Sequence, residues 1–108
     1  IFRPVYFKPE FSKHKGELCK GVQIHITDKR SVKPVETGIY LLYEVMDMDM
    51  NRFEWLLPVK EGGGYFIDHL SGTDDVRLRR YSAKELIDKW RMESLKFSKV
   101  KQKYHLYE

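Results

Sequence analysis

Alternating apolar and polar positions predict two β-strands near the N-terminus. The first is the short segment Arg3–Phe7, and Pro9 ends it because proline cannot donate to a hydrogen-bonded ladder. The second is VQIHITD, residues 22–28, which has the period of a half-buried strand. Its apolar side, which we expect to face a core, consists of Val22, Ile24 and Ile26. Its polar side carries Gln23, His25 and Thr27.

Apolar residues at intervals of three and four predict a first helix. Pro34 suits the first helical turn, where its missing N–H has no partner to lose, and the pattern ends near Met50. Glycine inside a helix costs about 1 kcal/mol relative to alanine, so Gly38 predicts a close packing contact. The apolar stripe consists of Val35, Ile39, Leu42, Tyr43 and Met46.

A longer helix is predicted from Ser82 to about Lys103. The segment Ser82-Ala-Lys-Glu85 is a capping box, in which the two end residues satisfy each other's free N–H groups. The stripe of the helix consists of Ala83, Leu86, Ile87, Trp90, Ser94 and Phe97. Lysines near its C-terminus complement the helix dipole.

The segment between the two helices has weaker signals. Three consecutive glycines, residues 62–64, predict a flexible loop, and Tyr65–Leu70 suggests a brief strand or extended segment. Thr73, followed by Asp74 and Asp75, predicts the start of another helix.

These elements predict the α+β class, with a small β-sheet packed against two main helices, the C-terminal one long. A chain of 108 residues has the length of one domain, 1–108, and can bury about two-thirds of its surface. Aromatic residues make up 14% of the chain, which excludes intrinsic disorder. The longest apolar run, Ile39–Tyr43, is too short to span a membrane. The single cysteine, Cys19, excludes an internal disulfide.

Charge is distributed unevenly along the chain, although its net value is only +4. Residues 1–33 carry eight basic and three acidic side chains, residues 34–75 carry two and nine, and residues 76–108 carry ten and four. The basic ends are consistent with binding to nucleic acid. The acidic middle segment argues against a uniform phosphate-binding surface and favours an ordinary solvated surface.

Three groups of residues in the sequence resemble parts of known catalytic, metal-binding or phosphate-binding sites. A glycosidase needs two carboxylates, and the candidate pairs are Asp74 with Asp75 and Asp47 with Asp49, yet both fit structural positions on helices. Cys19 with a nearby histidine lacks the ligand number and spacing of a zinc site. The glycine triplet lacks the Lys-Ser or Lys-Thr of a phosphate loop. The sequence therefore assigns no catalytic residue, no metal and no cofactor.

The most informative segment is Phe11–Asp28, which concentrates polar side chains on one loop and one strand face. Lysine supplies charge, while glutamine and histidine supply hydrogen bonds, so the segment predicts a site for an anion or a sugar acid. The candidate substrate-binding residues are Ser12, Lys13, His14, Lys15, Gln23 and His25. The alternative is that these side chains are simply exposed to solvent.

The runs FKPEFSKHKGELCKGVQIHITD, KPVETGIYLLYEV, SGTD and KYHLYE occur in this order along the chain. They resemble the C-terminal domain of the bacterial exo-β-N-acetylmuramidase family, glycosidases of peptidoglycan recycling long catalogued as a domain of unknown function. The resemblance covers essentially the whole chain, and residues 47–64 depart from it most.

The resemblance implies a two-domain parent enzyme that releases N-acetylmuramic acid from the non-reducing ends of peptidoglycan fragments. Its larger, N-terminal Rossmann-like domain would carry the catalytic acid and be the partner of this chain. The present chain would be the smaller domain that closes the active-site cleft, inactive alone and cut from a longer protein, as its start at Ile1 suggests.

Three functions stay open at this stage. The leading one is the substrate-side domain of the muramidase, which would bind a peptidoglycan-derived sugar and no nucleic acid, and would have no membrane span. The others are a non-catalytic module for an anionic polymer or protein, and a structural lid or dimerisation domain. A cell-wall substrate is consistent with an extracytoplasmic location, which the sequence leaves undetermined.

Overall fold

The computed structural model describes residues 1–107. These residues divide at Pro34 into a β-unit, Ile1–Lys33, and a helical unit that follows it. The α+β class and the long C-terminal helix are confirmed. The single domain and the packing of the sheet against the helices stay predictions.

The β-unit is built on two antiparallel strands, β1 (Phe2–Phe7) and β2 (Cys19–Ile24). Phe2 lies opposite Ile24, and Phe7 lies opposite Cys19. The pairing extends by one residue, because the Ile1 amino group donates to the His25 carbonyl at 3.0 Å and His25 N–H donates back at 2.9 Å. Gly21 lies beneath the Phe7 ring: a Cβ there would lie 2.9 Å from Cε1 of Phe7, so a larger residue would displace that ring.

The predicted second strand is displaced toward the N-terminus. Strand β2 ends at Ile24, so residues 25–28 of the predicted strand, His25 among them, lie outside it. The β-unit by itself does not bury the predicted apolar side, since Val22, Ile24 and Ile26 are 61%, 49% and 56% exposed. The physical reason is that residues 1–33 contain no other strand or helix, and two strands alone cover neither face.

The helical unit contains four helices and a final single turn. They are α1 (Pro34–Met48), α2 (Phe66–Ser71), α3 (Asp75–Leu78), α4 (Ala83–Lys101) and a 3₁₀ turn over Gln102–Tyr104. Helix α1 begins at Pro34 as predicted. The capping box of α4 is confirmed, with Glu85 N–H donating to Ser82 Oγ and Ser82 N–H donating to the Glu85 carboxylate.

Three local predictions about the helical unit are wrong. Tyr65–Leu70 is not a strand, because its residues from Phe66 onward form α2. Gly72 ends that helix in a left-handed conformation with φ of 72°. Gly38 makes no close contact, because nothing lies within 4 Å of the position of a Cβ there. The stripe of α4 is buried only near its start, and Ser94 and Phe97 are exposed because the described helices cover only the first turns of α4.

The core of the helical unit centres on Val76 and Leu86, both 0% exposed. They pack with buried residues from α1 and α4, namely Ile39, Tyr43, Met46 and Ile87. The Tyr43 hydroxyl donates to the Tyr81 carbonyl at 3.2 Å, which satisfies the polar end of a buried ring. A partly buried rim consists of Leu42, Phe53, Trp55, Ile67, Ala83 and Trp90.

Asp75 is the buried charge beside this core. Its side chain is 7% exposed and accepts a hydrogen bond from Lys89 Nζ at 2.6 Å. Arg80 Nε lies 3.8 Å from its second oxygen. The bond from Lys89 holds the pKa of Asp75 below its ordinary value, against the opposing effect of burial. The ion pair therefore joins α3 to α4.

A second ion pair joins the two long helices. Arg91 on α4 donates from Nε and Nη2 to the two carboxylate oxygens of Glu36 on α1, at 2.8 and 2.6 Å. This paired arrangement fixes orientation as well as distance.

Over residues 1–107, the helices are too short or too polar to cross a lipid bilayer.

Leu86→Ala tests the position of the core. Removing a fully buried leucine side chain leaves a cavity and should lower the free energy of unfolding by about 3 kcal/mol. Leu95→Ala on the same helix is the matched control, since Leu95 is 61% exposed, and it should change stability by less than about 0.5 kcal/mol. Urea denaturation measures both, and equal losses would contradict the described core.

Asp75→Asn tests the ion pair through its pH dependence. Because the pKa of Asp75 is lowered by folding, its stabilisation is present above about pH 4 and is lost as the pH falls through the folded-state pKa. Urea denaturation of the wild type should therefore show a steeper loss of stability on acidification than the variant shows. Asp88→Asn, at an exposed carboxylate on α4, should keep the wild-type slope. Parallel curves for wild type and Asp75→Asn would contradict the ion pair.

Candidate functional site

A tightly turned loop carries four of the six predicted site residues. Ser12 and His14 adopt left-handed backbone conformations, with φ of 64° and 58°, and Gly16 does so with φ of 81°. For residues other than glycine this conformation costs about 1–2 kcal/mol. Gly16 N–H donates to the Pro9 carbonyl at 2.9 Å and closes the loop. The chain therefore reverses sharply here and exposes the loop side chains.

His14 is held by a carboxylate that the sequence analysis missed. Its Nδ1 lies 3.0 Å from Oε2 of Glu17, and both side chains are exposed. The Glu17 N–H also donates to the His14 carbonyl at 3.0 Å. The sequence signal for this contact is the spacing, because a turn brings residues that are three positions apart close together. The Glu17 carboxylate offsets the charge that His14 carries when protonated.

Lys13 and Lys15 are the uncompensated cations of the loop. Both side chains are exposed, and within residues 1–107 neither forms an ion pair. Ser12 is likewise exposed and makes no side-chain hydrogen bond in that range. The cationic character of the loop therefore comes from its two lysines.

Gln23 and His25 form the second half of the predicted site. The Nε2 atom of His25 lies 3.1 Å from Oε1 of Gln23. Since an amide oxygen only accepts, neutral His25 donates from Nε2 and keeps Nδ1 as an acceptor. The amide NH₂ of Gln23 also stays available. Together they present a donor and an acceptor of the kind that bind a sugar hydroxyl or acetamido group.

The six predicted residues therefore belong to the same unit but form two groups. Over residues 1–107, no hydrogen bond or ion pair joins the loop residues 12–15 to the Gln23–His25 pair. The two groups would act as one site only if a single ligand contacted both of them.

The candidate acid pairs are occupied by structural ion pairs. Asp74 accepts from Arg80 Nη2 at 2.8 Å, and Asp49 lies 3.3 Å from Arg52 Nε. The Arg79 guanidinium holds the pKa of Asp47 below its ordinary value. A general acid needs the opposite shift, toward a proton retained near neutral pH.

Asp28 and Cys19 also have local roles. Arg30 N–H donates to the Asp28 carboxylate at 2.9 Å, and this bond lowers the pKa of Asp28. The Cys19 thiol lies 3.8 Å from the Glu17 carbonyl, at the start of β2. Among residues 1–107, no three histidine, cysteine, aspartate or glutamate side chains converge as metal ligands.

The sequence of the chain matches the model of one protein family. The family model described as exo-beta-N-acetylmuramidase NamZ, C-terminal, matches residues 1–107. The chain belongs to this family. The resemblance carried by the FxPxFSK and GVQIHxTD runs is thereby confirmed.

A curated member of the NamZ family supports the assignment. The peptidoglycan beta-N-acetylmuramidase NamZ of Bacillus subtilis (strain 168) is 34% identical to this chain over 109 residues. The match covers 98% of this chain and 25% of that protein. The chain thus spans about a quarter of the length of its curated NamZ relative. No solved structure matches the chain significantly.

Proposed function

We propose that this chain is the substrate-side domain of an exo-acting β-N-acetylmuramidase that releases N-acetylmuramic acid from peptidoglycan fragments. The observation that carries the proposal is the match of the family model over residues 1–107. The curated relative is named a peptidoglycan beta-N-acetylmuramidase, and most of its length lies outside the match. The parent protein would thus supply a larger partner domain beside this one.

The exposed lysines give this domain a way to recognise the substrate. N-acetylmuramic acid differs from neutral amino sugars by a lactyl carboxylate, which a cation binds with a charge-assisted hydrogen bond. Lys13 and Lys15 are exposed and have no carboxylate partner within residues 1–107. We assign the carboxylate to these two side chains, with Ser12 and His14 as neighbouring hydrogen-bonding groups.

The Gln23–His25 pair would bind the sugar itself. The contact of 3.1 Å between the two side chains holds the free amide NH₂ and the free imidazole nitrogen close together. Side chains that are already positioned lose less conformational entropy on binding. Hydroxyl or acetamido groups of the sugar are suitable partners for both.

The same domain would contribute no catalytic acid. Arg79 and Lys89 hold the pKa values of Asp47 and Asp75 below their ordinary range. Asp74 and Asp49 form ion pairs with Arg80 and Arg52. The family resemblance implies that the catalytic acid comes from the partner domain, which is N-terminal and Rossmann-like in that family. We accordingly expect the 108-residue chain alone to show no hydrolase activity.

Kinetics of the full-length enzyme test this assignment. Lys13→Ala and Lys15→Ala should each lower kcat/KM for a chromogenic N-acetylmuramide by roughly tenfold, which is the loss expected for one charged hydrogen bond. Lys29→Ala is the matched control, because it removes the same charge from an exposed site of the β-unit outside the loop.

Three results would contradict the proposal. Wild-type kinetics in the Lys13→Ala/Lys15→Ala double variant would exclude the loop as the carboxylate site. An equal loss in Lys29→Ala would show that only overall charge matters. Turnover by the 108-residue chain alone would show that the domain is itself catalytic.

A further inference from the structure

A cavity in the helical unit has the lining of a small-ligand site. Its volume is about 450 Å³, within the range in which proteins bind small molecules. It lies between the segment after α1 and the short helices α2 and α3. Its lining residues are Glu54, Trp55, Leu57, Tyr65, Arg77 and Leu78.

Trp55 is the large aromatic side chain of the cavity lining, and it packs against a second aromatic ring. The ring of Phe53 meets it edge-on, with centroids 4.9 Å apart and an angle of 84° between the planes. Both rings also pack against the hydrophobic core, and Trp55 is only partly buried. An indole held in this way offers a flat apolar surface without a large entropy cost on binding.

Arg77 is the fixed hydrogen-bond donor of the cavity. Its Nε donates to both oxygens of Asp68 at 3.0 and 2.9 Å, and its Nη2 lies 2.8 Å from Asp68 Oδ2. The guanidinium also stacks on Tyr65, with Cζ 4.2 Å from the ring centroid. Over residues 1–107, Nη1 has no hydrogen-bond partner, so its two N–H groups stay available to a ligand.

The charges of the cavity disfavour an anion. Asp68 offsets the charge of Arg77, and Glu54 adds a carboxylate that forms no ion pair within residues 1–107. A ligand carrying its own negative charge would meet repulsion here. The suitable ligand is uncharged, with one apolar face for the indole and polar groups at its edge.

We propose that this cavity binds a neutral pyranose sugar. The ring would lie on Trp55, with its hydroxyl groups accepting from Arg77 Nη1 and donating to Glu54. Such a sugar differs in charge from the carboxylate-bearing ligand assigned to Lys13 and Lys15. All six lining residues belong to the helical unit, so this proposal stands or falls independently of the loop site.

Nuclear magnetic resonance titration of the 108-residue chain tests the proposal. We expect N-acetylglucosamine and its β-1,4-linked dimer to cause saturable shifts of the Trp55 indole N–H and the Arg77 Nε–H signals. Glucuronate, a sugar of similar size with a carboxylate, should shift them less. No saturable shift with either neutral sugar, or a stronger response to glucuronate, would overturn the proposal.

Two variants separate binding from folding. Trp55→Leu should weaken binding of the neutral dimer by about tenfold, as expected for loss of an aromatic contact. Trp90→Leu is the matched control, because Trp90 also packs on the core but does not line this cavity; it should keep wild-type affinity.

Glu54→Gln is a second variant that tests the proposal even when Trp55→Leu does not fold. Because Glu54 is exposed, its substitution should not disturb the core. It should keep the native amide spectrum and weaken binding a few-fold. Unchanged affinity in both Glu54→Gln and a folded Trp55→Leu would overturn the proposal, as would equal losses in Trp55→Leu and Trp90→Leu.

Discussion

The helical unit depends on the packing of Leu86 against Val76, both 0% exposed. Val76 lies on α3, a helix of four residues that is too short to be stable without tertiary contacts. The ion pair between Asp75 and Lys89, at 2.6 Å, holds this turn against α4 while Val76 enters the core. The same arrangement places Arg77, the next residue of α3, beside Tyr65 and Asp68. Core packing thereby positions the cavity lined by Trp55.

Local signals predicted the ends of helices well, because the interactions that make them are local. The capping box needs only Ser82 and Glu85, and Pro34 begins α1 through its own backbone geometry. The sequence pattern misplaces strand β2 because its register depends on pairing with β1, which lies more than ten residues away. Helix α2 was missed because six residues are too few to show a helical period.

The candidate site was predicted as one cluster, and its contacts show where sequence reasoning stops. Gln23 lies on β2, and His25 follows its end, where backbone pairing with Ile1 continues. Residues two apart in extended backbone point to the same side, so their contact follows from the strand period. The pairing of His14 with Glu17 depends on left-handed turns at Ser12 and His14, which no alternation predicts. The cavity joins Trp55 to Arg77, 22 positions further along the chain, and only tertiary packing brings such residues together.

In the function proposed above, the β-unit would recognise a carboxylate of the substrate, and a partner domain would carry out the chemistry. Exposed lysines in a sharply turned loop and carboxylates already held in ion pairs are the two features behind this division of roles. The most direct test is a crystal structure of the full-length protein with N-acetylmuramic acid bound. We expect the lactyl carboxylate within about 4 Å of Nζ of Lys13 or Lys15. A carboxylate bound entirely by residues of the partner domain would contradict it.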